Sequence, residues 1–185
     1  SSSKWLTFIV NAMREGKAVT LTYKSFRNTE PYTFETHPYC LKVFRQRWYM
    51  LARTPGKEEL RIYSLDRVID IQLSNSPLVL PKDFNAADFF SDYFGIIIGH
   101  NIKPSILELK ASAEQARYLE SLPLHSSQEV VETTPEYTIF RYRIVPTFDL
   151  KQEILSRGAT LEVLSPEWFR EEVISEIEKM MKNYL

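Results

Sequence analysis

From Arg45 to Leu73 the chain reads RQRWYMLARTPGKEELRIYSLDRVIDIQL. Two strand-like runs flank a Pro-Gly turn, and both mix arginines with large apolar and aromatic residues. Strand alternation puts Arg47, Tyr49, Leu51 and Arg53 on one face of the first run, and Trp48, Met50 and Ala52 on the other. In the second run Arg61, Tyr63, Leu65 and Arg67 share a face. Cross-strand register is not readable from sequence, so whether the two Arg/Tyr faces coincide stays open. Trp48, Met50 and Leu51 read as core. Arg45, Arg47, Arg53, Arg61 and Arg67 read either as solvated strand residues or as the lining of an anion site, with Asp66 and Asp70 as alternative partners for Arg67.

Working outward, residues 4–14 carry Trp5, Phe8, Ile9, Ala12 and Met13 at helical spacing, with Gly16 to end the helix. AVTLTYKSF alternates as a strand, with Val19, Leu21 and Tyr23 on one face. PYTFETHPYCLKVF reads as a strand pair broken at Pro38, whose missing N–H suits an edge or a bend. One helix and about five short strands, closed by LSNSPLVLP, predict a small Sm-like or SH3-like barrel over residues 4–80. Residues 81–104 have no clean period and read as a linker, whose FGIIIG stretch permits a turn or close backbone approach.

From residue 105 the expected order is βαββαβ plus a closing helix, the ferredoxin-like pattern, over residues 105–185. SILELKA is the first strand, and Ser112 with Gln115 forms a capping-box pattern that opens a helix to about Leu122. SSQEVVETT and TIFRYRIVP are strands joined at Pro135-Glu136. FDLKQEILSRG is a helix ended by Gly158, and ATLEVL a strand. A last helix has Ser165 as its cap and Pro166 at its first position, with Phe169, Val173, Ile177, Met180 and Tyr184 as its apolar face. The fold class is α+β.

The 185 residues are 44% hydrophobic and 25% charged, ordinary for a globular protein. No apolar run is long enough to span a membrane, and no signal peptide is visible, so a cytoplasmic location is expected. Cys40 is the only cysteine, which excludes an intrachain disulfide. The net charge of −1 conceals an asymmetry: residues 1–75 hold 12 Lys/Arg against 7 Asp/Glu, and residues 76–185 hold 11 against 17. An anionic partner is therefore drawn to the first half. Phosphate-loop, zinc-protease, nucleophile-elbow and dinucleotide motifs are absent. His37, His100 and His125 lie far apart at no ligand spacing, so no enzyme, metal or cofactor is expected. What remains is basic residues interleaved with aromatics, the composition of a surface that pairs guanidinium groups with phosphates and stacks bases.

The first segment resembles the WYL domain, whose Trp-Tyr-Leu triplet stands here as Trp48-Tyr49-Met50. The match includes the leading helix, a strand ending in Tyr23 with Ser25 behind it, Pro38, and Arg61-x-Tyr63-x-Leu65-Asp66-Arg67-Val68. Residues 105–185 resemble the C-terminal extension that follows WYL domains. The resemblance implies the effector-sensing half of a bacterial transcription regulator, whose usual helix-turn-helix, the part that meets promoter DNA, does not precede Trp5 here. It implies a basic barrel face for an anionic effector, with single-stranded DNA or RNA or a nucleotide as candidates, and a homodimer. By motif position the site residues are Tyr23, Ser25, His37, Tyr49, Arg53, Arg61 and Arg67; Arg45, Arg47 and Tyr63 join them from local charge and stacking capacity. The alternative is a structural dimerisation module without a ligand.

Overall fold

The computed structural model describes residues 2–98 and 102–185, so Gly99 of the FGIIIG stretch and His100 lie outside the described residues. The chain forms two compact units that divide between Phe89 and Phe90. Both combine helices with an antiparallel sheet, which makes the protein α+β as expected.

In the first unit, α1 (Ser3–Arg14) buries Ile9 and Ala12 and ends at Gly16, whose φ of 67° suits a residue without a Cβ. Five strands follow: β1 (Lys17–Tyr23), β2 (Tyr32–Phe44), β3 (Arg47–Arg53), β4 (Arg61–Ser64) and β5 (Val68–Pro77). They are ordered β4-β3-β2-β1-β5. The last strand thus returns to pair with the first, and the described ladders join β4 only to β3 and β5 only to β1. The expected break at Pro38 is absent. The segment is one 13-residue strand, and a bulge between Pro38 and Cys40 absorbs the proline's missing donor. The count of five strands is kept because the second quoted run divides instead: Leu65–Arg67 form a 3-10 turn between β4 and β5. Arg67 is therefore not on a strand face with Arg61 and Tyr63.

Alternation along β1 and β2 sends Val19, Leu21, Tyr23 and Phe34 to one side of the sheet, where they pack with Ile9, Met50, Ala52, Tyr63, Leu65 and Ile71. Trp48 packs against this core half-buried. Leu51 is buried on the other side of the sheet, paired with Cys40 and Ile62. The chain reverses between β2 and β3 through Arg45 and Gln46, both at positive φ (49° and 65°), the twist that fits a tight hairpin.

The second unit has the strands β6 (Ser105–Ser112), β7 (Glu129–Thr133), β8 (Tyr137–Ile144) and β9 (Leu161–Ser165) in the order β7-β8-β6-β9. Helix α2 (Ala86–Phe90), all but its last residue in the first unit, precedes them in the chain, α3 (Ala113–Ser121) and α4 (Phe148–Ser156) alternate with them, and α5 (Glu167–Lys182) closes the chain. This is the βαββαβ order with its closing helix. Leu107, Leu109, Phe140, Tyr142, Leu150 and Phe169 form the centre of its core. Ser112 caps α3 by accepting from the Gln115 N–H at 3.2 Å. The reciprocal half of the capping box is not made; the Gln115 amide oxygen lies 3.0 Å from the Thr160 hydroxyl instead. Helix α5 begins one residue later than expected, with Pro166 in the cap position. Its apolar stripe is buried only at Phe169 and Val173; Ile177, Met180 and Tyr184 are exposed. No helix among the described residues is long and apolar enough to cross a membrane.

Candidate functional site

Cross-strand register decides which arginines meet. In the β3–β4 ladder Met50 faces Tyr63 and Ala52 faces Arg61, so Arg61 and Tyr63 lie on the core side of the sheet. Arg53 and Tyr49 point to the other side, opposite His37 and Lys42. The two Arg/Tyr faces do not coincide.

Beyond the packed core, the same side of the sheet opens into a concavity of about 720 Å³. Its floor is aromatic. Tyr23 meets Tyr63 edge-on at 5.3 Å and Tyr32 at 6.3 Å, Tyr32 stacks on Phe34 at 5.2 Å, and Phe34 meets Tyr63 at 5.3 Å. Arg27, Lys57, Arg61 and Arg67 stand among its walls, and no carboxylate does. None of these four cations makes an ion pair among the described residues. Four uncompensated positive charges beside apolar walls concentrate field on the concavity and favour an anion there.

Two turns carry the rim. The Ser25 hydroxyl accepts from the Asn28 N–H at 3.1 Å, and the Lys24 N–H donates to the Arg67 carbonyl at 3.1 Å. The turn after β1 is thereby fastened to the 3-10 turn that bears Arg67. The Arg67 guanidinium lies 3.0 Å from the centre of the Phe26 ring rather than on Asp66, which pairs with Arg47 at 3.7 Å.

The two buried tyrosines differ in what they offer. The Tyr63 hydroxyl lies 2.6 Å from Thr54 Oγ1, which is 2.9 Å from Thr36 Oγ1, and Thr36 donates to the Arg53 carbonyl at 3.1 Å. A hydroxyl has one proton, so Thr36 gives its own to the carbonyl, Thr54 donates to Thr36, and Tyr63 donates to Thr54. The Tyr63 proton is thus spent inward. Tyr23 instead accepts from the Ser64 N–H at 3.1 Å and retains its proton, with no acceptor among the described residues. Burial pushes both phenols above their ordinary range; hydrogen bonds from Ser64 and to Thr54 and the nearby arginines offset part of it. Tyr23 is therefore a neutral donor at pH 7.

Of the residues singled out from sequence, the concavity gathers Tyr23, Ser25, Arg61, Tyr63 and Arg67. The others lie elsewhere. His37 is buried, with Nδ1 accepting from the Val79 N–H at 3.1 Å. Arg45 caps the β2–β3 hairpin over the Phe44 ring. Arg47 pairs with Asp66 on the exposed surface, and Tyr49 is half-buried between Lys42 and Ser64. Arg53 donates to the Glu58 carbonyl at 3.3 Å and borders a different, open depression with Tyr39, Phe84, Asp83 and Asp88. Sequence reasoning missed Phe26, Arg27, Tyr32, Phe34, Thr54 and Lys57. A signal for Tyr32 and Phe34 is their period-two spacing. Arg27 stands two residues beyond Ser25, and Lys57 lies in the TPGKE turn itself.

Two further groups serve the structure. His125 bonds Ser127 through Nδ1 and the Ser91 carbonyl through Nε2, each at 2.7 Å. Cys40 is a half-buried free thiol whose pKa burial raises. No group of three or more potential metal ligands occurs among the described residues.

Comparison with known proteins agrees with the division into two sheets. Residues 4–73 match the WYL domain and residues 105–181 match the WCX domain. A comparison with curated proteins finds no match. Among solved structures, the chain is similar to proteasome accessory factor B/C (PafBC) of Arthrobacter aurescens, with 18% identity, a TM-score of 0.40, and coverage of 99% of this chain and 27% of that one. It is also similar to a CRISPR Cas-related protein, with 13% identity, a TM-score of 0.55, and coverage of 95% of this chain and 51% of that one. The second likeness shows a shared fold, and the chain spans 27% and 51% of the lengths of these two solved chains. With both of its sheets matched in order, the chain carries a WYL domain followed by a WCX domain.

Proposed function

We propose that this is an effector-sensing region that binds an anionic ligand in the concavity of its WYL domain and performs no chemistry on it. The observation that carries the reading is the wall of four cations without a carboxylate, set above an aromatic floor. Arg27, Lys57, Arg61 and Arg67 supply charge-assisted bonds to phosphate oxygens, and Tyr23 supplies a neutral donor. A nucleotide or a short single-stranded nucleic acid, which combines phosphates with planar rings, fits this chemistry better than a carboxylate metabolite.

Signalling follows if the ligand favours one conformation over another, because a ligand of equal affinity for two states shifts nothing. The fastened turns at Lys24 and Arg67 are the elements such a ligand touches from both sides. The reading includes a cytoplasmic homodimeric regulator whose DNA-binding domain answers to the ligand. The experiment is fluorescence anisotropy with a labelled single-stranded decamer at two salt concentrations. Binding that weakens with salt, by a logarithmic slope of about 0.7 for each phosphate neutralised, supports the reading. No binding, or binding indifferent to salt, overturns it in favour of a ligand-free assembly module.

A further inference from the structure

Phe26 is 87% exposed, yet it is built into the wall of the cationic concavity. A lone exposed apolar side chain is unremarkable on a protein surface. This one is held in place. The Arg67 guanidinium covers one face of its ring at 3.0 Å, and the Lys24 N–H to Arg67 carbonyl bond ties together the two turns that carry the pair. The other aromatic walls are already committed: Tyr23, Tyr32, Phe34 and Tyr63 contact one another, and Tyr23 and Tyr63 are buried. Phe26 makes no aromatic contact among the described ones, so its second face is open. A ring backed by a cation and open on its other face is a stacking surface for a planar, electron-rich group.

We propose that Phe26, backed by Arg67, is the stacking platform that makes this site prefer anions bearing a planar ring over phosphate chains without one. The inference rests on the anion-binding reading above and names the ligand class within it: the phosphate is held by the cations, and the base lies on Phe26. Arg67 then acts twice, as a positive charge for the anion and as the support that fixes the ring. Because stacking on a platform tolerates any base, the preference is for nucleotides as a class and not for one sequence.

The test compares two probes of equal charge, a labelled dT decamer and an abasic decamer of the same phosphate number. The wild-type chain is expected to bind the dT decamer about tenfold more tightly than the abasic one, the scale of one stacked base. Phe26→Ala brings the two affinities together by weakening only the dT complex, and Phe26→Trp restores the preference. Equal wild-type affinity for the two probes, or a preference that survives Phe26→Ala, overturns the platform and leaves the anion site standing. Failure of both probes to bind overturns both. Since the side chain is exposed, the abasic affinity of each variant also reports that the fold is intact.

Discussion

Replacing Arg61 and Arg53 by alanine, one at a time, separates the two faces of the sheet. Arg61 faces Ala52 on the concave side and has no carboxylate partner, so its charge is available to a ligand. A charge-assisted hydrogen bond contributes about 1.5–3 kcal/mol when sheltered, and exposed pairs contribute up to about 1 kcal/mol. Arg61 is exposed, so the expected loss is about 1 kcal/mol, roughly fivefold in Kd. The salt slope falls by about 0.7 as one phosphate contact disappears. Arg53 lies on the opposite side and donates to the Glu58 carbonyl, which water satisfies after truncation. Arg53→Ala therefore leaves both affinity and slope unchanged. The assay is anisotropy with the single-stranded decamer across a salt series, with thermal melts to confirm folding. An Arg53→Ala variant that binds as weakly as Arg61→Ala would refute the assignment of faces. An unaltered slope in Arg61→Ala would remove that residue from the site.

Four other substitutions follow from particular hydrogen bonds. Tyr23→Phe deletes the concavity's buried phenol whose proton has no acceptor among the described residues and weakens decamer binding about fivefold or more, whereas Tyr63→Phe breaks the inward chain to Thr54 and lowers stability by about 1 kcal/mol with affinity kept; the reverse pattern in anisotropy and urea melts would contradict the donor assignment. In the second unit the buried Asp149 carboxylate accepts the Ile96 and Ile97 N–H groups at 2.9 and 3.0 Å. Asp149→Ala leaves both donors without that acceptor, costs about 2–3 kcal/mol, and speeds hydrogen exchange at these two amides; unchanged protection there would show that the carboxylate is dispensable. Burial raises the pKa of Tyr142, whose hydroxyl donates to Gln128 at 2.7 Å. The folded state thus holds this proton where the unfolded chain releases it. Its contribution is whole below the unfolded value of about 10 and falls by about 1.4 kcal/mol per pH unit above it, until the folded value is reached. Tyr142→Phe should flatten that alkaline decline in urea melts, and an identical decline would point to other groups.

Periodicity revealed much of this molecule and concealed a specific part of it. The helices and the βαββαβ order were legible because burial of one face imposes a period, as Ile9 and Ala12 on α1 and Leu107, Leu109 and Ala111 on β6 illustrate. Pro38 misled because a bulge relieves a proline locally without ending the strand, and bulges have no strong sequence mark. The division of the arginines depended on register, which follows from pairing across strands and not from order along one of them. Five of the ten residues singled out line one concavity, while Arg53 and His37, from the same motif, lie on the other side of the sheet or in the packed interior. Phe26 and Arg27 were missed because turn residues have no period; only folding brings them beside Arg67.

The central claim, that the concavity is where the anion binds, is tested most directly by mapping backbone amide shifts of the labelled chain during titration with the single-stranded decamer. The account predicts that shifts cluster at Lys24–Asn28, Arg61–Val68 and Thr54–Lys57, and saturate together. Shifts centred instead on Tyr39, Arg53 and Phe84, or confined to residues of the second unit, would contradict it.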